Sequence, residues 1–495
     1  MDQRPNILIF MTDQQRGATV IRGDRNKALT PNLDRFSSDS VTFTNTFCPS
    51  PHCCPSRATF MSGLYPSQHG VWNNVNVGNA LSRGLFENVR LWSEDLRDAG
   101  YCMDYSGKWH VSDYEGPAER GWREHHVTAC PRNKLENRPY TSEWSRYTDE
   151  KCYSKPGEPR EPSTLPRTGY FTYRHYLNSE NPFNDQKVVD AALEVVRNRK
   201  SANAPWCQFV GTLGPHDPYM PPEKFMDMYR LDDIQLPPSF SDEMADKPGF
   251  YRRTRDIFGN LSEEEHRKAV LHYLAFCSYE DHLFGRILDE LEAAGGLDNT
   301  IVIYTSDHGD YMADHKLWCK GVPCFKGAYH VPLMIRWPNG IVEPGRTCDS
   351  FVSLADFAPT FLEAAGVAVD REFAGTSLMP LLRNEEPDDW RDTMYTQTNG
   401  NELYAIQRGI FDREWKYVYN GFDYDELYDL KNDPEETVNL AGCSEHKDRV
   451  NRMCAKMWDF VRDHDDTCIN PYIMVRFAPV GPGVAQSKAE RAKVQ

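Results

Sequence analysis

The chain has 495 residues, 40% of them hydrophobic and 26% charged, and a formal net charge of −17. That length supports a large core, with room for a main domain and a smaller one. The acidic balance argues against nucleic acid or an acidic membrane surface as partner, so an anionic ligand would need a local cationic pocket.

Ile7 to Met11 is a short apolar run of the kind that forms a central parallel strand buried on both faces. It ends in Thr12-Asp13-Gln14-Gln15, polar groups at the carboxyl end of a strand, where open α/β sheets bind ligands. Thr30 to Phe36 reads as a helix start. Leu91 to Ala99 has helical apolar spacing closed by Gly100, and Tyr101 to Ser106 is a second strand ending at Gly107-Lys108-Trp109-His110. From Glu115 to about Phe183 periodicity is lost, which predicts an irregular insertion shaping the mouth of a site. Asn184 is placed to cap a helix with a Val188, Ala192, Val195, Val196 stripe. Trp206 to Leu213 is a third strand, ending at Gly214-Pro215-His216-Asp217-Pro218. A long helix is expected from Ser262 to Ala294, with acidic residues in its first turn and Gly295-Gly296 as its stop. Thr300 to Thr305 is a fourth strand, ending at Asp307-His308, and Val331 to Trp337 a fifth.

Alternating strands and helices predict an α/β fold, a mainly parallel sheet sandwiched by helices. After Pro380 the texture changes. Short antiparallel strands are expected at Tyr404–Gln407, Lys416–Tyr419 and Glu426–Tyr428, followed by a helix from about Ser444 to Arg462. The expected division is therefore a catalytic domain over 1–380 and a smaller α+β subdomain over 381–495.

No apolar run approaches the ~20 residues of a membrane span. The opening residues lack a basic segment and a small-residue cleavage site, which predicts no signal peptide. Fourteen scattered cysteines then predict reduced thiols and a cytoplasmic location.

One cysteine has an unusual address. Cys53-Cys54-Pro55-Ser56-Arg57 follows a Ser-Pro-His loop and opens a helix, where free N–H groups and the helix dipole favour an anion. The strand ends deliver Asp13, Lys108, His110, His216, Asp307 and His308 to the same side of the sheet. Hard oxygens with one imidazole suit Ca²⁺, Mg²⁺ or Mn²⁺, and Zn²⁺ is compatible. Lys108 and His110 share a strand face. A lysine can hold an anionic oxygen as a point charge, and a histidine can accept a proton near neutral pH.

Cys-x-Pro-Ser-Arg followed by Ser62-Gly63 resembles the signature of the type I sulfatases, of the alkaline-phosphatase superfamily. Gly107-Lys108-Trp109-His110, His216 and Lys320 in Cys319-Lys320-Gly321 match further family elements, and the tail stretch Glu426 to Leu430 with Asn432-Asp433-Pro434 extends the resemblance over nearly the whole chain. It implies an alkaline-phosphatase-like fold and a hydrolase of sulfate esters. It also implies that a maturation enzyme oxidises Cys53 to formylglycine, whose hydrate is the nucleophile beside one divalent cation, Ca²⁺ first among the choices. Asp13, Gln14, Cys53, Asp307 and His308 would then form the metal site. Arg57 would support the nucleophile, Lys108 and Lys320 would hold sulfate, His216 would serve the leaving oxygen and His110 would release sulfate. Asn73 aligns with a substrate-binding asparagine, with Asn74 as the other choice.

Two positions depart from the usual sulfatase pattern, Gln14 for Asp and His308 for Asn. They resemble the phosphonate monoester hydrolase and choline sulfatase branches, which keeps a phosphonate or phosphodiester hydrolase, or a small alkyl or aryl sulfatase, as alternatives. A catalytically dead binding protein is the alternative from another class. The expected substrate is a sulfated saccharide, such as a glycosaminoglycan-type fragment, and a homo-oligomer is compatible. Lys326 and His330 replace the usual acidic residue and Arg before Val-Pro; they are expected at the solvated surface, or on an additional anionic group.

Overall fold

The computed structural model describes residues 4–21, 25–128, 158–165, 170–174, 181–199, 204–385, 387–401, 403–421 and 423–467. A large sheet takes the order β4-β3-β5-β1-β6-β7-β2-β8. Its centre is β1 (Asn6–Thr12), hydrogen-bonded in parallel to β5 (Trp206–Gly211) and β6 (Thr300–Ser306). β3 (Cys102–Lys108) lies beyond β5, and β7 (His330–Arg336) runs against both β6 and β2 (Val41–Phe47). Apart from β7 the sheet is parallel, and the central strands are buried along their length except at Asn6, as their continuous apolar runs require.

Five strands fall where the periodicity places them, and three in this sheet do not. β2 and its parallel neighbour β8 (Thr347–Ser353) alternate apolar and polar residues near one edge. β4 (Arg123–Thr128) occupies the other edge, inside the stretch expected to be wholly irregular. Most of that stretch, residues 129–157 in particular, lies outside the described residues.

Helices cover both faces. Glu263–Ala293 packs its apolar stripe on Phe10, Val302 and Tyr304, and a capping box between Ser262 and Glu265 fixes its start. Asp185–Asn198 lies on the same face; Asn184 occupies its N-cap position without a side-chain cap, and Asn181 Oδ1 accepts from the Asp185 N–H at 3.2 Å instead. On the opposite face the Cys53–Ser62 helix is buried along its whole length.

The second sheet is antiparallel, order β12-β11-β10-β9. β11 (Trp415–Asn420) and β12 (Glu426–Asp429) meet expectation, whereas β10 is Gln407–Phe411, starting where the expected strand ends, and β9 (Met394–Thr398) was not anticipated. Lys447–Asp463 covers it through Val450, Met457 and Val461. Phe47 and Phe411 meet edge to face at 4.8 Å, and one apolar cluster joins β1 and β2 to Met394, Val418 and Tyr428. No helix among the described residues is long and apolar enough to cross a membrane.

Candidate active site

Everything of chemical interest gathers at the carboxyl ends of β1, β3, β5 and β6, under the first turn of the Cys53–Ser62 helix. Asp13 and Gln14 leave β1, Gln14 with φ of 68°, and the Gln14 N–H donates to Asp307 Oδ1 at 3.1 Å. Cys53 Sγ lies 3.2 Å from His308 Nε2 and 3.8 Å from Asp13 Oδ1. One ligand atom from each of Asp13, Cys53, Asp307 and His308 lies within 4.8 Å of the others, all four side chains buried. Cys54, by contrast, faces the apolar core, and burial pushes its thiol far up.

The helix is locked over this cluster. Ser56 Oγ bonds the Asp307 carbonyl, and Arg57 Nε donates to Asp307 Oδ2 at 2.7 Å while Nη1 donates to the Lys108 carbonyl at 2.9 Å. Arg57 Nη2 stands 3.7 Å from Asp13 Oδ2 with no hydrogen-bond partner among the described residues. Lys108 Nζ pairs with Asp13 Oδ2 at zero exposure. Burial alone would raise the Asp13 pKa, but the charges of Lys108, first, and Arg57 hold it well below the usual carboxylate range. Burial lowers His308 to about 4 and His110 well below its usual value, so both imidazoles are neutral at pH 7.

Two carboxylates, a neutral imidazole and a fourth short side chain fit a divalent cation, which takes oxygen ligands with nitrogen tolerated. The orphaned Arg57 donor fits an oxygen-bearing group at Cys53. Gln14, counted among the expected ligands, is turned elsewhere. Its Nε2 donates to Asp217 Oδ1 at 2.9 Å and Asp310 Oδ2 at 2.7 Å, and its Oε1 accepts from Lys320 Nζ at 2.6 Å.

Lys320 also contacts His216 Nε2 at 2.7 Å, while His216 Nδ1 sits 2.6 Å from the Asp217 carbonyl. The carbonyl can only accept, so Nδ1 carries the proton and Nε2 accepts from the Lys320 ammonium. Sequence reasoning passed over Asp310, which Tyr219 holds at 2.6 Å and burial raises to about 7. Its place two residues beyond His308, at a strand exit, was the available signal.

A cavity of ≈ 730 Å³ opens from His216 and Lys320 outward. Asn74 and Asn76 line it. Asn74 Oδ1 accepts from the Cys54 N–H at 3.1 Å and Asn76 Oδ1 meets His110 Nε2 at 3.0 Å. Asn73 instead braces its own loop, bonding the Asn79 carbonyl and the Leu81 N–H. His330 is buried against Phe47 and bonds the Thr44 carbonyl at 2.9 Å, which corrects its expected solvated place. Lys326 is exposed.

The family model described as Sulfatase matches residues 5–367. The chain belongs to the sulfatase family. A second model, N-sulphoglucosamine sulphohydrolase, C-terminal, matches residues 314–463 of this sulfatase. It is 30% identical over 455 residues to the choline-sulfatase of Rhizobium meliloti, covering 88% of this chain and 82% of that one. To the N-acetylglucosamine-6-O-sulfatase of Bacteroides thetaiotaomicron it is 26% identical over 505 residues, with 94% and 87% covered. Among solved structures, the phosphonate monoester hydrolase of Agrobacterium radiobacter superposes with a TM-score of 0.76 at 25% identity, covering 93% and 96%. A protein in complex with its substrate D-glucosamine-2-N,6-O-disulfate gives 0.71 at 22%, covering 94% and 99%, a likeness of fold. The sulfatase is accordingly a sulfuric ester hydrolase on an alkaline-phosphatase-like fold.

Proposed function

We propose that this sulfatase hydrolyses a sulfate ester borne by a saccharide, after Cys53 has been converted to formylglycine by a maturation enzyme. The observation that carries the reading is the convergence of buried Cys53, Arg57, Lys108 and His216 and half-buried Lys320 on one floor beneath a cavity with room for a sugar. The matured side chain would supply the attacking oxygen, and a divalent cation, Ca²⁺ by preference for hard oxygens, would supply charge beside it. Asp13, Asp307 and His308 would hold that ion, with Gln14 as a further ligand if its amide turns inward. Arg57 fixes Asp307 and aims its remaining donor at the same place. Lys108 and Lys320 balance charge on the sulfate oxygens. Since His216 Nε2 accepts from Lys320, this pair delivers a proton to the leaving oxygen from the ammonium. Neutral His110, oriented by Asn76, is the base for sulfate release.

Residues 1–380 would carry this chemistry and 381–495 would form a subdomain closing one side of it. The scattered cysteine spacing supports a cytoplasmic enzyme, and a homo-oligomer is compatible with the fold. The test is turnover of a panel of defined sulfated saccharides beside aryl sulfate, choline sulfate and phosphodiester controls, with mass analysis of the Cys53 peptide. A preference for phosphorus esters would favour the second reading, suggested by Gln14 and His308. An intact thiol in protein from its native host would overturn the mechanism.

A further inference from the structure

The Gly249–Phe258 helix turns one face to the cavity, through Phe250, Arg253, Thr254, Ile257 and Phe258. That spacing of three and four is a single helical stripe, and a charged residue stands in the middle of its apolar members. Arg252, Arg255 and Asp256 take the other faces, and Arg255 occupies the nearby Asp256 at 3.4 Å. Arg253 has no ion pair or hydrogen bond to any described residue. Among the described residues the cavity wall offers it no free acid: Asp217, the one carboxylate there, is held by Gln14 and Tyr170. Two of the wall's other polar groups are occupied at short range. Thr254 bonds the Phe250 carbonyl at 3.3 Å, and Asn401 Oδ1 accepts from the Asn74 N–H at 3.3 Å. Apart from Lys320 and His216 on the floor, Arg253 is the only cationic side chain among the described residues that line the space.

We infer that Arg253 makes the enzyme select sulfate esters whose alcohol portion carries a second negative charge, a carboxylate or another sulfate. The inference rests on the saccharide-sulfatase reading and narrows it. In a chain of net charge −17 a doubly anionic ligand is repelled at long range, and a guanidinium with no partner among the described residues, set among apolar neighbours, offsets this locally. Its planar fork suits a carboxylate or sulfate at two points. The same cation disfavours a positively charged alcohol such as choline.

Binding is measured by calorimetry on Cys53→Ala, which separates affinity from turnover, using N-acetylglucosamine 6-sulfate, glucosamine 2-N,6-O-disulfate and choline sulfate. The doubly anionic sugar is expected to bind about tenfold more tightly than the singly anionic one, a ratio that R253Q brings close to one and R253K partly keeps. Rising salt should erode the same ratio. A ratio unaltered by R253Q, or choline sulfate bound as tightly as the disulfate, overturns the inference. Turnover by the matured enzyme is scored separately: preference for a phosphodiester would sink the sulfatase reading without changing what the binding ratio says of Arg253.

Discussion

The floor of the site and the wall above it are built on opposite principles. On the floor, Asp13, Cys53, Arg57, Lys108, Asp307 and His308 are at most 2% exposed and bonded to one another across the ends of four elements. On the wall, Ile257 is 50% and Leu403 45% exposed, and Arg253 has no described partner. Buried charges persist only when paired and oriented, so the floor has one arrangement and one chemistry. Exposed groups carry no such obligation, so the wall is free to differ with the substrate. Changes on the floor should therefore destroy rate, and changes on the wall should alter affinity.

The largest effect is expected at Cys53. Cys53→Ala should lower kcat by ~10⁴-fold or more, as loss of a covalent nucleophile does, while the melting temperature stays near that of the parent. Residual turnover within a hundredfold of the parent, measured on the fully matured enzyme, would remove Cys53 from the centre of the mechanism. Next, Lys320→Ala should cost on the order of 10²–10³ in kcat, the usual loss when one preorganised donor is removed. Because Lys320 bonds both Gln14 and His216, the pH–rate profile should shift as well, which a purely packing role would not produce.

Arg57→Ala joins stability to activity. It strips Asp307 of its partner inside the protein, and truncating one member of a buried pair typically costs about 3–5 kcal/mol. Denaturant unfolding should show that loss in metal-free enzyme, and a divalent cation should restore part of it by binding the native state alone. No recovery with any of Ca²⁺, Mg²⁺ or Mn²⁺ would mean that the Asp13–Asp307–His308 cluster is not a cation site. On the wall, Phe250→Ala should raise KM severalfold, with kcat within about twofold, as expected for loss of uniform binding. An equal fall in kcat would blur the line between floor and wall.

The same divide explains how much was legible in the sequence. Floor residues sit at the ends of strands whose apolar runs are unmistakable, so Asp13, Lys108, His216 and Asp307 could be placed from local pattern alone. β2 and β8 escaped because half-polar edge strands such as Val41–Phe47 carry a weaker signal than a doubly buried strand. The bonds from Gln14 to Asp217 and Asp310 span 203 and 296 positions, and no local spacing encodes them. Asn73 was preferred to Asn74 because adjacent identical residues in a loop cannot be told apart without the direction of each side chain. No element was predicted between Pro218 and Ser262, where the ten-residue Gly249–Phe258 helix carries Arg253 on its cavity stripe.

A further effect concerns pH and tests whether burial beyond the floor obeys the same rule. His330 lies outside the cluster, packed on Phe47 with its ring nitrogen donating to the Thr44 carbonyl, and burial lowers its pKa from 6.5 to about 3. A group depressed in the folded state is neutral there while the unfolded chain takes up a proton below 6.5. Its stabilising contribution is therefore complete above pH 6.5 and is lost progressively as pH falls toward 3. At pH 5 the loss amounts to about 2 kcal/mol for one such histidine. His330→Gln retains a donor for Thr44 without a titrating ring, so its stability between pH 7.5 and 5, read by urea unfolding, should fall less steeply than the parent's by about that amount. Phe250→Ala on the wall should leave the slope unchanged. If His330→Gln and the parent lose stability in parallel, the imidazole reaches solvent in the folded state, and burial outside the catalytic floor is looser than the packing around Phe47 implies.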